Sequence, residues 1–339
     1  MAEEIKNISP DKGSGTENES FLEIKDLVVE YTSGKDIVQA VNGVSLSLKR
    51  GETLGLVGET GAGKTTIANT ILRILPEPPA RIKSGEIKLD GTDLLHLPEK
   101  DMQKIRGDKI SMIFQDPMTA LNPVMSVGKQ ITEVIALHNE ISKEEAKQRA
   151  IEMLEMVGIP ATRYVEYPHQ FSGGMKQRVI IAMALACNPQ LLLADEPTTA
   201  LDVTVQAQVL DMIKDLRIKF NTAMILITHD LGIVAETCDK VAVVYAGHIV
   251  ESGTKRDIFK AMAHPYTKGL FAAIPKLNDD APRLKSIDGM PPDPTNLPEG
   301  CAFAPRCEYA TDECKQGVIP NKEISPGHFC LCIHAKKEA

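Results

Sequence analysis

From Phe21 onward, apolar positions recur in short blocks separated by turn residues. Leu22–Tyr31, Ile37–Leu48 and Glu52–Val57 alternate or run apolar, with Ser33-Gly34 and Asn42-Gly43 as turn signals between them. They predict a small antiparallel sheet, the last segment a buried strand. Residues 85–95 predict a hairpin turning at Asp90-Gly91, and Ile110–Phe114 a buried strand followed by a loop running to Pro123. Residues 127–187 have helical periodicity. Ser142 and Glu145 form a capping box ahead of an apolar stripe at Ala146, Ala150, Met153, Leu154 and Val157. A buried helix over Val179–Ala186, a strand over Leu191–Ala194, a helix with Val205, Val209, Ile213, Leu216 and Phe220 on one face, and a strand over Ala223–Ile227 follow in turn. Val241–Tyr245 and His248–Glu251 predict a last hairpin, turning at Ala246-Gly247. Strands alternating with helices predict an α/β fold with a parallel sheet.

Composition narrows this picture at the ends. Residues 1–20 are polar and predict a mobile tail, and from Asn278 the shift to Pro, Asp and Gly predicts a linker. The 339 residues suit a large domain plus an appendage, and 43% hydrophobic content supports a real core. A net charge of −8 argues against nucleic-acid binding by charge. The longest apolar run, Val179 to Cys187, is too short to cross a bilayer, and the amino terminus lacks a basic-then-apolar leader. A soluble cytoplasmic protein is the expectation. Of seven cysteines, five lie between Cys301 and Cys332, a cluster that suggests metal before disulfides in a reducing compartment.

The chemistry begins at Gly58-Glu59-Thr60-Gly61-Ala62-Gly63-Lys64-Thr65, a G-x-x-x-x-G-K-T loop. An apolar strand precedes it, and Ile67, Ile71 and Ile74 follow at helical spacing, the context this phosphate-cradling motif requires. Its backbone N–H groups can ring a polyphosphate, Lys64 can reach the β- and γ-phosphates, and the Thr65 hydroxyl can ligate Mg²⁺. Gln115 and His229 stand at the carboxyl ends of predicted strands, where an open α/β sheet faces its ligand. Asp195 and Glu196 end another; one can hold Mg²⁺ and the other can orient a water aimed at a γ-phosphate. Ser172-Gly173-Gly174 opens a helix and is a second, weaker anion site. Tyr31 is either a base-stacking residue or an ordinary strand aromatic.

The phosphate loop, Gln115, Ser172-Gly173-Gly174, Asp195-Glu196, Ala200-Leu201-Asp202 and His229 occur in an order and spacing that resembles an ABC transporter ATPase subunit over roughly residues 21–277. Three stretches narrow the resemblance to the dipeptide/oligopeptide (and nickel) importer family: Ser172-Gly173-Gly174-Met175-Lys176-Gln177-Arg178, Thr198-Thr199-Ala200-Leu201-Asp202-Val203-Thr204-Val205-Gln206-Ala207-Gln208 and His264-Pro265-Tyr266-Thr267. The Val-Thr-Val-Gln form resembles the first of its two ATPase paralogues. The resemblance implies a RecA-like P-loop core, an antiparallel β subdomain, a helical subdomain at about 117–189, and a Cys-rich region over 278–339. It implies ATP held by Gly58 through Thr65 with Thr66, and adenine stacked on Tyr31. Mg²⁺ is set among Thr65, Gln115 and Asp195, and Glu196 polarises the attacking water. Gln115 senses the γ-phosphate, His229 is a switch, Asp202 lies between the sites, and Ser172 through Gly174 close on ATP held by a partner. Met175 departs from the Gln common at its position.

Implied partners are a second paralogous ATPase, two membrane permease subunits and an extracytoplasmic peptide-binding protein, with no nucleic acid. The implied location is the cytoplasmic face of the membrane. Nickel, glutathione or oligosaccharide as cargo, or a soluble non-transport ABC ATPase, are the alternatives. For the tail the resemblance implies a 4Fe–4S cluster on Cys301, Cys307, Cys314 and Cys332, with zinc or unliganded thiols as alternatives.

Overall fold

The structure is a computed structural model that describes residues 20–115, 117–199, 201–273 and 287–336. The tail expected over residues 1–20 (Ser20 apart), the first part of the linker expected from Asn278 (278–286), and Ala200 lie outside the described residues; the rest of that segment is not a free linker, since Pro291, Pro292, Pro294 and Leu297 line a cavity of the domain.

Among the described residues, twelve strands form two sheets: β1 Leu22–Ser33, β2 Asp36–Leu48, β3 Thr53–Val57, β4 Ala80–Leu89, β5 Thr92–Asp93, β6 Ile110–Ile113, β7 Leu191–Asp195, β8 Ala223–Ile227, β9 Lys240–Tyr245, β10 His248–Thr254, β11 Asn321–Ser325 and β12 His328–Leu331. The smaller sheet is antiparallel with order β2-β1-β4-β5, and the larger runs β11-β12-β10-β9-β3-β8-β7-β6. Parallel pairing joins β6 to β7, β7 to β8, and β3 to both β8 and β9; β10 and β12 add antiparallel neighbours beyond β9.

The placement of β3 corrects one expectation. Glu52–Val57 does not extend the antiparallel sheet but lies at the centre of the parallel one. Its five residues are all buried, as both faces of a covered parallel sheet require. Asn42-Gly43 is likewise not a turn. Gly43, at φ 70°, sits in a bulge within β2, between the pairs Leu27–Val44 and Val28–Asn42.

Among the described residues, ten α-helices flank the sheets: α1 Lys64–Ile71, α2 Glu99–Ile105, α3 Pro117–Ala120, α4 Val127–His138, α5 Lys143–Met156, α6 Gly173–Leu185, α7 Val203–Phe220, α8 Leu231–Thr237, α9 Lys255–Lys260 and α10 Pro265–Ala272. A loop was expected where α3 forms; proline at its first position lacks only an N–H that a helix start leaves unpaired anyway. α1 ends at Ile71, so Ile74 lies beyond it and is 37% exposed. Of the capping box on α5, one half forms: the Ser142 hydroxyl accepts the Glu145 N–H at 3.2 Å.

Alternation along the parallel strands divides the interior into two cores. Leu191 and Leu193 face the antiparallel sheet and α1, while Leu192 and Ala194 face α4 through α7. The sheet thus holds the carboxyl ends of β3, β6, β7 and β8 rigidly side by side. Among the described residues, no helix is long and apolar enough to cross a membrane.

Candidate nucleotide site

Two glycines make the loop after β3 possible. At Gly58 (φ 153°) a Cβ would stand 2.1 Å from the Val244 carbonyl oxygen, and at Gly63 (φ 101°) 2.3 Å from that of Ala40. Any side chain at either position would push the loop off the sheet edge. Gly63 caps α1 without a side-chain hydrogen bond, so the first N–H groups of the helix face the cavity unclaimed by a cap. Lys64 is 6% exposed and donates from Nζ to the carbonyls of Gly58 at 2.8 Å and Glu59 at 2.9 Å. Burial pulls its pKa down, opposed by the charges of Glu196, Asp195 and Glu59. The Thr65 hydroxyl donates to Asp195 Oδ2 at 2.8 Å. Asp195, at the buried end of β7, is raised above the usual carboxylate value by burial, with Thr65 opposing.

The strand ends meet at Glu196. Gln115 Nε2 donates to its Oε2 at 3.0 Å, the Thr199 hydroxyl donates to the same oxygen at 2.9 Å, and His229 Nδ1 lies 3.1 Å from Oε1. Burial pushes this carboxyl up, but the bonds from His229, Thr199 and Gln115 outweigh it and hold the group below its ordinary value. Glu196 is therefore an anion at neutral pH, in hydrogen-bond contact with residues that follow β6 and β8.

A cavity of about 570 Å³ joins the phosphate loop to this cluster, within the size range of small-ligand sites. Glu59 through Thr66 line it with Gln115, Glu196 and His229. Tyr31, Ser172, Gly173, Gly174 and Asp202 are not among its described lining residues. Tyr31 Oη lies 3.4 Å from the Thr66 hydroxyl. Ser172 caps α6, accepting the Met175 N–H at 3.4 Å, and Asp202 caps α7, accepting the Val205 N–H at 3.0 Å. Gly174 packs on α7, where a Cβ would meet Val205 Cγ1 at 2.6 Å.

Sequence reasoning missed two groups of residues here. Val38, Gln39 and Ala40 of β2 line the cavity, as do Pro291, Pro292, Pro294 and Leu297. Arg306 forks onto the Glu59 carboxylate at 2.9 and 3.1 Å, while Tyr266 Oη accepts the Glu59 N–H at 3.0 Å. The Arg–Glu partners are 247 residues apart, and no local pattern announces such a pair.

The tail thiols require a correction. Among the described residues, no group of three or more His, Cys, Asp or Glu is placed to hold a metal ion. The expected 4Fe–4S set of Cys301, Cys307, Cys314 and Cys332, and zinc as its alternative, are overturned by that finding. Burial raises the thiol pKa of Cys301 and Cys307 and so favours the neutral thiol, a poor metal ligand. Cys314 Sγ is engaged by the Thr311 hydroxyl and His334 Nε2, each at 3.5 Å.

Comparison with known proteins agrees with the geometry. The family described as ABC transporter matches residues 41–199, and the one described as oligopeptide/dipeptide transporter, C-terminal region, matches residues 250–314. The oligopeptide transport ATP-binding protein OppD of Bacillus subtilis (strain 168) is 54% identical over 91% of this chain and 87% of its own. The dipeptide transport ATP-binding protein DppD of the same organism is 49% identical over 93% and 94%. Among solved structures, the dimeric ATP-binding cassette MJ0796 in a post-hydrolysis state bound to ADP and Pi superposes with a TM-score of 0.63. It is 29% identical and covers 69% of this chain and 99% of that one. The chain belongs to the ABC transporter family, among the transport ATP-binding proteins that carry the oligopeptide/dipeptide transporter carboxy-terminal region.

Proposed function

We propose that this chain is the ATP-hydrolysing subunit that powers an ABC importer of dipeptides and oligopeptides. The observation that carries the reading is the meeting of Gln115, Glu196 and His229 over the phosphate loop. The loop N–H groups and the Lys64 ammonium bind and orient the β- and γ-phosphates. The two carboxylate oxygens of Glu196 offer about four acceptor positions, and the three donors around them leave room for one water. Glu196 then orients that water and draws its proton as it attacks. His229 holds the carboxylate in place, and Gln115 connects it to the start of the helical region. The paired Thr65 hydroxyl and Asp195 carboxylate, with Gln115, suit Mg²⁺, which neutralises phosphate charge when bound. Tyr31 is assigned to the adenine.

Ser172, Gly173 and Gly174 lie off the cavity of their own chain, which favours a head-to-tail pair in which each serine corner closes on the other's nucleotide, with Asp202 between the two sites. We assign the second position to a paralogous ATPase, and the pair to two permease subunits and an extracytoplasmic peptide-binding protein, on the cytoplasmic face of the membrane. The same reading divides the chain into a tail (1–20), a nucleotide-binding domain (21–277, helical at about 117–189) and a carboxy-terminal region (278–339).

The test is the full importer in lipid vesicles, supplied with peptide-loaded binding protein and ATP. Peptide uptake and phosphate release should both appear, and Glu196→Gln should keep ATP affinity while phosphate release falls at least about 10²-fold. Undiminished hydrolysis in that variant overturns the assignment of Glu196; hydrolysis indifferent to peptide overturns the cargo.

A further inference from the structure

The lining of the cavity combines two chemically distinct sets of residues. One is the phosphate loop, rich in N–H donors and carrying Lys64. The rest of the lining includes Val38, Gln39 and Ala40 of β2 and Pro291, Pro292, Pro294 and Leu297 of the carboxy-terminal region. Among the described residues, those that β2 and the carboxy-terminal region contribute to the lining carry no ionisable side chain. They offer little to a polyphosphate and much to a flat, weakly polar ring and its sugar. Backbone bonding seats them, because the Gln39 N–H donates to the Pro294 carbonyl at 2.9 Å and pins the proline segment against β2. Prolines restrict the backbone of this wall before any ligand arrives.

Arg306 ties the two sets together. Its side chain is 5% exposed, and its guanidinium grips Glu59 of the phosphate loop and also donates to the carbonyls of Ile287 at 3.3 Å and Asp288 at 3.1 Å. Those carbonyls lie just upstream of Pro291. The carboxy-terminal region therefore braces the phosphate-binding loop and also lines the same cavity.

We infer that the segment Pro291–Leu297 is the base- and ribose-facing wall of the nucleotide site of its own chain, so that the carboxy-terminal region sets nucleoside affinity. The inference rests on the ATPase reading and adds a binding surface to it. Leu297 is the residue to change, because it lines the cavity and is half-buried, so that a substitution leaves the cores intact. Inorganic tripolyphosphate is the control, since it carries the phosphates without the nucleoside.

With the full chain, the affinities of ATP and tripolyphosphate are measured by displacement of a fluorescent ATP analogue. Leu297→Asn should weaken ATP about tenfold, the worth of one buried leucine contact, and change tripolyphosphate less than twofold. Leu297→Ala, measured alongside it, should shift ATP in the same direction. Unchanged ATP affinity in both variants, or equal weakening of ATP and tripolyphosphate, overturns the inference. A wild-type chain that binds neither ligand overturns the ATPase reading itself.

Discussion

Glu59 occupies a position that its motif leaves free, yet three elements hold it. Its N–H goes to Tyr266, its carbonyl accepts from Lys64, and its carboxylate takes both arms of Arg306. A forked guanidinium–carboxylate pair is among the stronger side-chain contacts, and here the Arg306 side chain is 5% exposed and that of Glu59 27%. Removing one partner strands the other. Arg306→Met should therefore cost about 2–3 kcal/mol, at or below the lower bound for a fully buried pair because Glu59 still touches solvent. Arg306→Lys should recover only part, since an ammonium cannot fork. A double-mutant cycle with Glu59→Gln in urea should give a coupling of about 1–2 kcal/mol, and additive losses would mean that the pair holds nothing. Glu196 is constrained differently. It adopts φ 45°, uncommon for a side chain of its size, and its N–H is fixed to the Ile227 carbonyl at 2.9 Å. The strain sits where the chain turns a carboxylate back over the phosphate loop.

At the scale of elements, what could be read from the sequence was local. The stripe on α5, the strands β6 through β9, and the hairpin at Ala246-Gly247 follow from periodicity and turn residues within a dozen positions. So do the strand ends that carry Gln115, Glu196 and His229. The misreadings have physical causes. Leu54-Gly55-Leu56-Val57 is apolar on both faces, a signal for a covered parallel strand that outweighs its nearness to β1 and β2. β11, reading Asn-Lys-Glu-Ile-Ser, buries only Ile324, so it carries no visible alternation. α10 shows how a capping residue can also act as a pH sensor. His264 caps it, accepting the Tyr266 N–H on Nδ1 at 3.1 Å, and burial pushes its pKa from 6.5 down to about 4. The folded chain keeps His264 neutral while the unfolded chain protonates it near 6.5, so stability present above pH 6.5 is lost as pH falls toward 4. That loss amounts to about 3 kcal/mol. His264→Asn keeps a capping oxygen and removes the titration. Urea unfolding from pH 7 to 4.5 should show a shallower acid decline in the variant, and superimposable declines would refute the role of His264.

At the scale of the molecule, the carboxy-terminal region is part of the nucleotide-binding body. β12 pairs with β10, bringing His328 Nε2 to within 2.8 Å of Glu251, and neither side chain is exposed. Glu251 also accepts the N–H groups of Ala263 at 2.7 Å and His264 at 2.9 Å, so the same carboxylate orients the start of α10. Phe303 packs edge-on against Tyr245 with ring centres 5.2 Å apart and tilted against Tyr266 at 5.4 Å. Tyr245 ends β9, and Tyr266 reaches the phosphate loop through Glu59. These contacts join residues too distant in sequence for any pattern to announce, which is why the region reads as an appendage until it is seen folded. A chain ended after Ala273 would lose the cover on Tyr245 and Tyr266, leave Glu251 without His328, and open β10 as an unpaired edge. Loss of Phe303 alone is worth about 3–5 kcal/mol, and the bare carboxylate adds to it. The truncated chain should melt at least roughly 10 °C below the full one. It should also bind tripolyphosphate more weakly, because the phosphate loop loses Arg306. Calorimetry and displacement titration on both chains test this; equal melting temperatures and equal tripolyphosphate affinities would show that the nucleotide-binding body is complete without its carboxy-terminal strands.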